Sequence, residues 1–126
     1  MAGFSWALGT FGMVMFAVPS SAWGACPAPG PICAEYARAT LVFIADVETV
    51  RPSTIMQVRF RIVESLKGAS DAQTTMTFEP SSEELSYVKG QRVLVYAHRS
   101  GGLWSTACTR TKVLSPADTE TSALRA

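Results

Sequence analysis

Short runs of β-branched, aromatic and aliphatic residues, each closed by a turn signal, constrain the fold of this chain most strongly. In the run 55–62, apolar residues alternate with Gln57, Arg59 and Arg61, which predicts a strand with one buried and one solvated face. The run LVFIADV at 41–47 lacks this alternation and indicates a buried strand. The predicted strands are 41–47, 55–62, 74–78, 92–97 and 103–107.

Helix and turn signals surround these strands. Residues 34–39, AEYARA, have helical propensity. Ser115, followed by Pro116 and Asp118, predicts the N-cap and first turn of a C-terminal helix. Gly101 and Gly102 indicate a hairpin before the last strand. Several short strands with one terminal helix predict a small all-β barrel.

The first 25 residues contain no charged side chain and no histidine. Their apolar stretch, 4–18, is shorter than the roughly 20 residues that a membrane-spanning helix needs. Pro19 ends the stretch, and Ala22-Trp23-Gly24 precedes a plausible cleavage site, as in a secretory signal peptide. We predict a signal peptide over 1–25, a mature domain over 26–126 without a membrane span, and a secreted or periplasmic location. An uncleaved anchor and a lipid-modified Cys26 are the alternatives.

Charge and aromatic content argue against a nucleic-acid partner. The 11 basic and 10 acidic residues give a net charge of +1, and the basic residues are spread along the chain. Single-stranded nucleic acids are bound by basic grooves interleaved with aromatic side chains. Tyr96 and Trp104 are candidates for such a stacking face, although core packing explains them equally well. No motif for a cofactor is present.

The candidate reactive residues have structural explanations. His98 is predicted to be a surface turn residue, because no motif places a cysteine or carboxylate beside it. Asp46, late in an apolar strand, needs a partner if it is buried, and Arg59 and Arg61 are the candidates for a structural ion pair. Arg110 is expected to donate hydrogen bonds to backbone carbonyls. Without a nucleophile–base pair, we predict that the protein is not an enzyme.

The three cysteines are Cys26, Cys33 and Cys108. A disulfide is expected in an exported chain, and the odd number leaves one cysteine over. The spacing of Cys26 and Cys33 matches neither a zinc ribbon nor a CxxC redox motif, so no metal site is predicted. The residues alone leave the connectivity open.

Several stretches of the chain together resemble a known family. The most specific are Lys67-Gly68, LVYA at 94–97 and Cys-Thr-Arg-Thr at 108–111. In this order and spacing, the chain resembles the netrin-like domain, the OB-fold module shared with tissue inhibitors of metalloproteinases and their bacterial relatives. The resemblance covers nearly all of 26–126. It implies a five-stranded OB-fold-like barrel with a short N-terminal helix and a C-terminal helix.

The resemblance also implies a disulfide pairing. The family usually opens with Cys-x-Cys, of which only Cys26 is present, and Leu85 stands where a further cysteine is usual. Both halves of one bridge are therefore missing. The remaining bridge is expected to join Cys26 to Cys108, which leaves Cys33 free or paired between chains. The alternative bridge joins Cys33 to Cys108.

The function implied by the resemblance is that of a non-enzymatic protein-interaction module with an unknown protein partner. In the animal inhibitors, the α-amine and carbonyl of an N-terminal cysteine chelate the catalytic zinc of a protease. The first alternative is therefore a metalloprotease inhibitor, which requires a mature chain that begins at Cys26. The second alternative is a small secreted enzyme.

Overall fold

A computed structural model describes residues 30–69, 71–79 and 86–125, together with Gly3 and Gly12. Except for these two glycines, the predicted signal peptide lies outside the described residues and stays a prediction. The elements are α1 (Ile32–Arg38), β1 (Leu41–Arg51), β2 (Met56–Lys67), β3 (Gln73–Phe78), β4 (Arg92–Ser100), β5 (Leu103–Ser105), β6 (Lys112–Val113) and α2 (Glu120–Arg125).

The strands form one curled antiparallel sheet. Their order is β3-β2-β1-β4-β5, and β6 pairs with the first half of β4. The sheet curls until β3 approaches β5, which produces an OB-fold-like half-barrel with one short helix near each end of the described chain. The predicted all-β, OB-fold-like class is therefore confirmed.

The barrel interior is filled by alternate residues of the strands. Phe43, Phe60 and Phe78 are fully buried there, and Tyr87 packs edge-to-face on Phe60 with ring centroids 5.4 Å apart. In β2, the interior residues alternate with exposed polar residues, as the sequence predicts. The interior cluster comprises Phe43, Ala45, Val47, Val58, Phe60, Met76, Phe78, Tyr87, Val93, Val95 and Ala97.

A second apolar cluster lies on the outer surface of the sheet. β1 and β4 are therefore buried on both faces where it forms, which explains their unbroken apolar runs. Tyr36 of α1 and Leu124 of α2 pack against it. We call this part of the outer surface the covered half. Its buried residues are Ala39, Val42, Ile44, Leu94 and Tyr96.

Beyond the covered half, the same strands present polar side chains. Asp46 lies between the interior residues Ala45 and Val47, and Arg92 precedes the interior residue Val93, so both point outward. No helix of the described chain packs here. We call this part of the outer surface the bare half. Its outward residues are Asp46, Glu48, Thr49, Arg51, Gln57, Arg59, Arg61, Gln73, Thr75 and Arg92.

Two turns depend on glycine. Gly68, at the end of β2, has φ = 75°, and a Cβ there would lie 2.6 Å from the carbonyl oxygen of Thr40. Gly101 and Gly102 have φ values of 58° and 81°, which is the pattern of a type I′ hairpin between β4 and β5. The predicted hairpin is therefore confirmed.

The C-terminal helix begins later than predicted. Ser115 is not its N-cap; its carbonyl instead accepts the N–H of Asp118 at 3.1 Å, which closes a turn. The Asp118 carboxylate then accepts the N–H of Glu120, the first helical residue, at 2.9 Å. The helix cannot begin at Ser115, because the N–H of Leu114 still donates to the carbonyl of Arg92 in β4. The chain leaves the sheet only after this bond, and the turn at Ser115 then leads it to α2.

Candidate functional site

A site on the barrel rim, just before α1, holds both polar groups of the Gly30 backbone. The Gly30 N–H donates to Glu35 Oε1 at 3.0 Å, and the Gly30 carbonyl accepts from Arg110 Nη1 at 3.2 Å. Glu35 also forms an ion pair with Arg38. We call Gly30, Glu35, Cys108, Arg110 and Glu120 the N-terminal rim. It fastens the backbone of Gly30 to the barrel.

A buried carboxylate, Glu120, organises the rim. Its side chain is only 4% exposed at the start of α2. Arg110 Nε donates to Oε1, and Lys112 Nζ lies 2.5 Å from Oε2. The Tyr96 hydroxyl also donates to Oε1, at 3.3 Å. One carboxylate of α2 therefore connects three parts of the fold: α2 itself, strand β4, and the loop after β5 that carries Arg110. Arg110 in turn holds Gly30.

Electrostatics keep this cluster ionised. Burial acts to raise the pKa of Glu120, but hydrogen bonds from Arg110 and Lys112 outweigh it, so the pKa lies below its usual value of 4.5. A hydrogen bond from Lys112 likewise lowers the pKa of Asp118. Burial raises the pKa of Tyr96, with a further contribution from the Glu120 charge, so its hydroxyl stays a donor.

A cavity of about 450 Å³ opens beside the rim. It brings His98 together with Glu35 and Cys108, a combination that no sequence motif indicated. Glu35 is already bonded to Gly30 and Arg38, and Cys108 is disulfide-bonded. The lining therefore offers His98 no thiolate to activate. The lining residues are Glu35, Arg38, Ala39, His98, Ala107, Cys108 and Thr109.

The predicted location of His98 in a surface turn is wrong. His98 lies within β4, where it pairs with Ser105 of β5, because β4 continues to Ser100. The prediction for Arg110 is correct for its bond to the Gly30 carbonyl. Its ion pair with Glu120 was missed, because the residues between the two, 111–119, carry no signal that places the two side chains together.

The cysteines separate into two kinds. Cys33 is a free cysteine whose side chain is exposed on α1, so the alternative bridge from Cys33 to Cys108 is not formed. The reason is its position on the solvent side of the helix. Cys108 is disulfide-bonded and has a positive φ of 59°. Cys26 lies outside the described residues, so its pairing with Cys108 stays a prediction.

The ion pairs of Asp46 differ in part from those predicted. Arg61 pairs with Asp46 at 2.6 Å, as expected, whereas Arg59 pairs with Glu48 at 3.3 Å. The second partner of Asp46 is Arg92, at 2.9 Å. The hydrogen bond from Arg92 is the largest cause that lowers the pKa of Asp46. Arg92 was missed because β4 lies beside β1 only in the folded sheet.

Tyr96 and Trp104 do not form a common stacking face. Tyr96 is fully buried in the outer cluster under the helices, whereas Trp104 packs against the interior cluster. The guanidinium of Arg99 lies 4.4 Å from the Trp104 ring centroid, which is a cation–π contact. Both rings are therefore accounted for by packing.

Two kinds of feature are absent from the described part of the chain. No group of three or more histidine, cysteine, aspartate or glutamate side chains is arranged there to hold a metal ion. Neither α1 nor α2 has the length and apolar character needed to cross a bilayer. The chain matches no protein-family model and no curated protein.

Proposed function

We propose that this protein is an exported, non-enzymatic domain of the netrin-like kind that binds a protein partner through its N-terminal rim. The observation that carries the proposal is the double hydrogen bonding of Gly30, whose N–H and carbonyl are held by Glu35 and Arg110. A segment fixed in this way is presented in one conformation, which lowers the entropy cost of binding.

The bonding of the rim also favours a binding role over a catalytic one. Glu35, Arg110 and Glu120 each bond to other groups within the fold. His98 is the one titratable group in the adjoining cavity without such a bond among the described residues. A general base without a nucleophile to activate does not constitute a catalytic site.

Metalloprotease inhibition through Cys26 is the second candidate function. Three residues lie between Cys26 and the anchored Gly30, and the predicted bridge to Cys108 would hold Cys26 at the same rim. A free α-amine at Cys26 is the chemical requirement, because acylation removes the lone pair that would bind zinc.

The intact mass of the exported protein, before and after reduction and alkylation, tests both candidates. We expect removal of the signal peptide, one alkylated thiol before reduction and three after it. A chain that starts at Cys26 with a free amine keeps the inhibitor candidate and calls for an assay against a zinc metalloprotease. A start at Ala25, or a lipid on Cys26, excludes it. A full-length chain with three free thiols would contradict both the export and the bridge.

Site-specific photo-crosslinking in intact cells tests the binding role of the rim. A photoreactive residue at exposed Ala34, on α1, should give a discrete cross-linked protein. Lys89 is the matched control. It is also exposed, but it lies in the turn before β4, whereas His98, which lines the cavity beside the rim, lies near the other end of that strand. Equal cross-linking at both positions, or none at Ala34, would refute the proposal.

A further inference from the structure

The bare half of the outer surface concentrates positive charge in a chain that is nearly neutral overall. Four arginines of this surface face only two carboxylates, although the net charge of the whole chain is +1. Asp46 is shared by Arg61 and Arg92, and Glu48 is used by Arg59. Arg51 forms no ion pair within the described part of the chain. Its charge is therefore available to a ligand.

A groove of about 240 Å³ lies within this surface. Its lining consists of Thr49, Arg51, Gln57, Arg59 and Thr75, which come from three neighbouring strands. Thr49 pairs with Arg59, and Arg59 pairs with Thr75, so their side chains form one row across the sheet. Every lining side chain can donate a hydrogen bond, and none is apolar.

The arginine in this row is held in place. Arg59 Nη2 donates to Gln73, and its Nε lies 3.3 Å from Glu48. Gln73 in turn donates to Glu48 at 3.2 Å. A guanidinium fixed in this way loses little side-chain entropy when it binds a further anionic group.

The composition of the groove selects among anionic ligands. Single-stranded nucleic acids are bound on aromatic platforms, and the described aromatic side chains lie in the two apolar clusters or against Arg99 rather than here. Most peptides are bound along a strand edge or in an apolar groove, whereas this groove is a polar sheet face. Arginine clusters also bind acidic peptide motifs, but acidic side chains offer no hydroxyls to Thr49, Gln57 and Thr75. Hydroxyl and amide groups beside guanidinium groups instead match a sugar that carries both hydroxyls and carboxylates.

We propose that this groove binds an acidic polysaccharide. Arg51 and Arg59 contact its carboxylates, and Thr49, Gln57 and Thr75 bond its hydroxyls. The proposal does not depend on the protein partner of the N-terminal rim, which involves other residues. Arg61 and Arg92, each about half exposed, extend the positive surface along the direction of a longer chain.

Titration calorimetry of the mature, oxidised protein with oligogalacturonate tests the proposal. We expect saturable binding that weakens as salt is added, because the contacts are exposed charges. Methyl-esterified oligogalacturonate is the matched ligand control, since it keeps the sugar backbone and loses the charge. Equal affinity for both ligands, or no binding of the acidic one, would overturn the proposal.

Arginine variants show whether the groove is responsible. Arg51→Gln should weaken binding about tenfold, and Arg51→Gln with Arg59→Gln about a hundredfold, as expected for the loss of charge-assisted hydrogen bonds. Lys89→Gln with Arg99→Gln removes the same charge from other surfaces and should leave the affinity unchanged. Equal weakening by this control pair would show non-specific attraction and reject the groove. Preserved thermal unfolding verifies that each variant is folded.

Two further probes separate the polysaccharide from other anions. Poly-glutamate and vesicles that contain phosphatidylglycerol carry negative charge without the sugar hydroxyls. We expect both to bind more weakly than oligogalacturonate. Tighter binding of either would assign the groove to an acidic peptide or a lipid surface and refute the polysaccharide.

Discussion

The covered and bare halves of the outer surface are built from the same strands but differ in burial and in charge. On β4, Leu94 is fully buried under the helices, whereas Arg92, two residues earlier on the same face, is 54% exposed. On β1, Ile44 and Asp46 show the same change. The strand geometry is common to both halves. The helices therefore decide where apolar burial ends and a charged, ligand-accessible surface begins.

The N-terminal rim and the bare half contain similar charge clusters in different surroundings. In each, one carboxylate lies between two cationic side chains: Glu120 with Arg110 and Lys112, and Asp46 with Arg61 and Arg92. The Glu120 side chain is 4% exposed, and the Asp46 side chain is 19% exposed with partners more than half exposed. Solvent screening is weak around Glu120 and strong around Asp46. Loss of the Glu120 charge should therefore lower the free energy of unfolding more than loss of the Asp46 charge.

The largest contrast is expected from truncation on β4. Leu94→Ala should lower the free energy of unfolding by about 3 kcal/mol, because it leaves a cavity between the sheet and the helices. Arg92→Ala, the matched change on the bare half, should cost less than about 1 kcal/mol. Urea unfolding followed by circular dichroism measures both. Equal losses would show that the outer cluster contributes no more than an exposed ion pair.

A smaller effect is expected from removal of the Glu120 charge. Glu120→Gln leaves Arg110 partly buried without a counter-charge, whereas Lys112 keeps its ion pair with Asp118. The change should therefore cost about 2 kcal/mol, less than the loss of a partner from a fully buried pair. The same urea titration applies. Asp46→Asn is the control on the bare half, with an expected loss below about 1 kcal/mol. A neutral outcome for Glu120→Gln would mean that the rim does not depend on its ion pairs.

The smallest effect is a difference in acid sensitivity. The pKa of Glu120 in the folded state lies below 4.5, so its contribution to stability is full above pH 4.5 and is lost as the pH falls through the lower folded value. The same sign holds for Asp46, below its usual 3.8. In thermal melts between pH 6 and about pH 3, the melting temperature of Glu120→Gln should fall less steeply with decreasing pH than that of Asp46→Asn. The reverse order would place the acid-sensitive group on the bare half.

Much of the fold could be predicted from local patterns. The alternation around Arg59 and Arg61 marked β2 and its solvated face, and Gly101-Gly102 marked the hairpin. Boundaries were less accurate, because β4 continues through His98 and α2 starts at Glu120 rather than after Ser115. Those ends are set by strand pairing and by bonds to β6, which lie outside the local sequence.

The candidate sites were harder to predict for the same reason. Arg61 was found as a partner of Asp46, since the two residues are only 15 positions apart, on paired strands that a single turn connects. Arg92 was missed, because 46 residues separate it from Asp46. The anchoring of Gly30 by Arg110 spans 80 residues and has no periodic signal. Side-chain partners at such separations are determined by the packing of whole elements.

By itself, the sequence determined which segments of this protein become strands and where the chain turns. These properties follow from side-chain periodicity and from the few residues that accept positive φ, and both act over a few positions. The tertiary structure alone decided which outward residues are covered and which arginines remain exposed and without a full set of counter-charges. Burial and charge pairing depend on what lies across space from a residue, and the helices that cover one half of the sheet leave the other half to solvent.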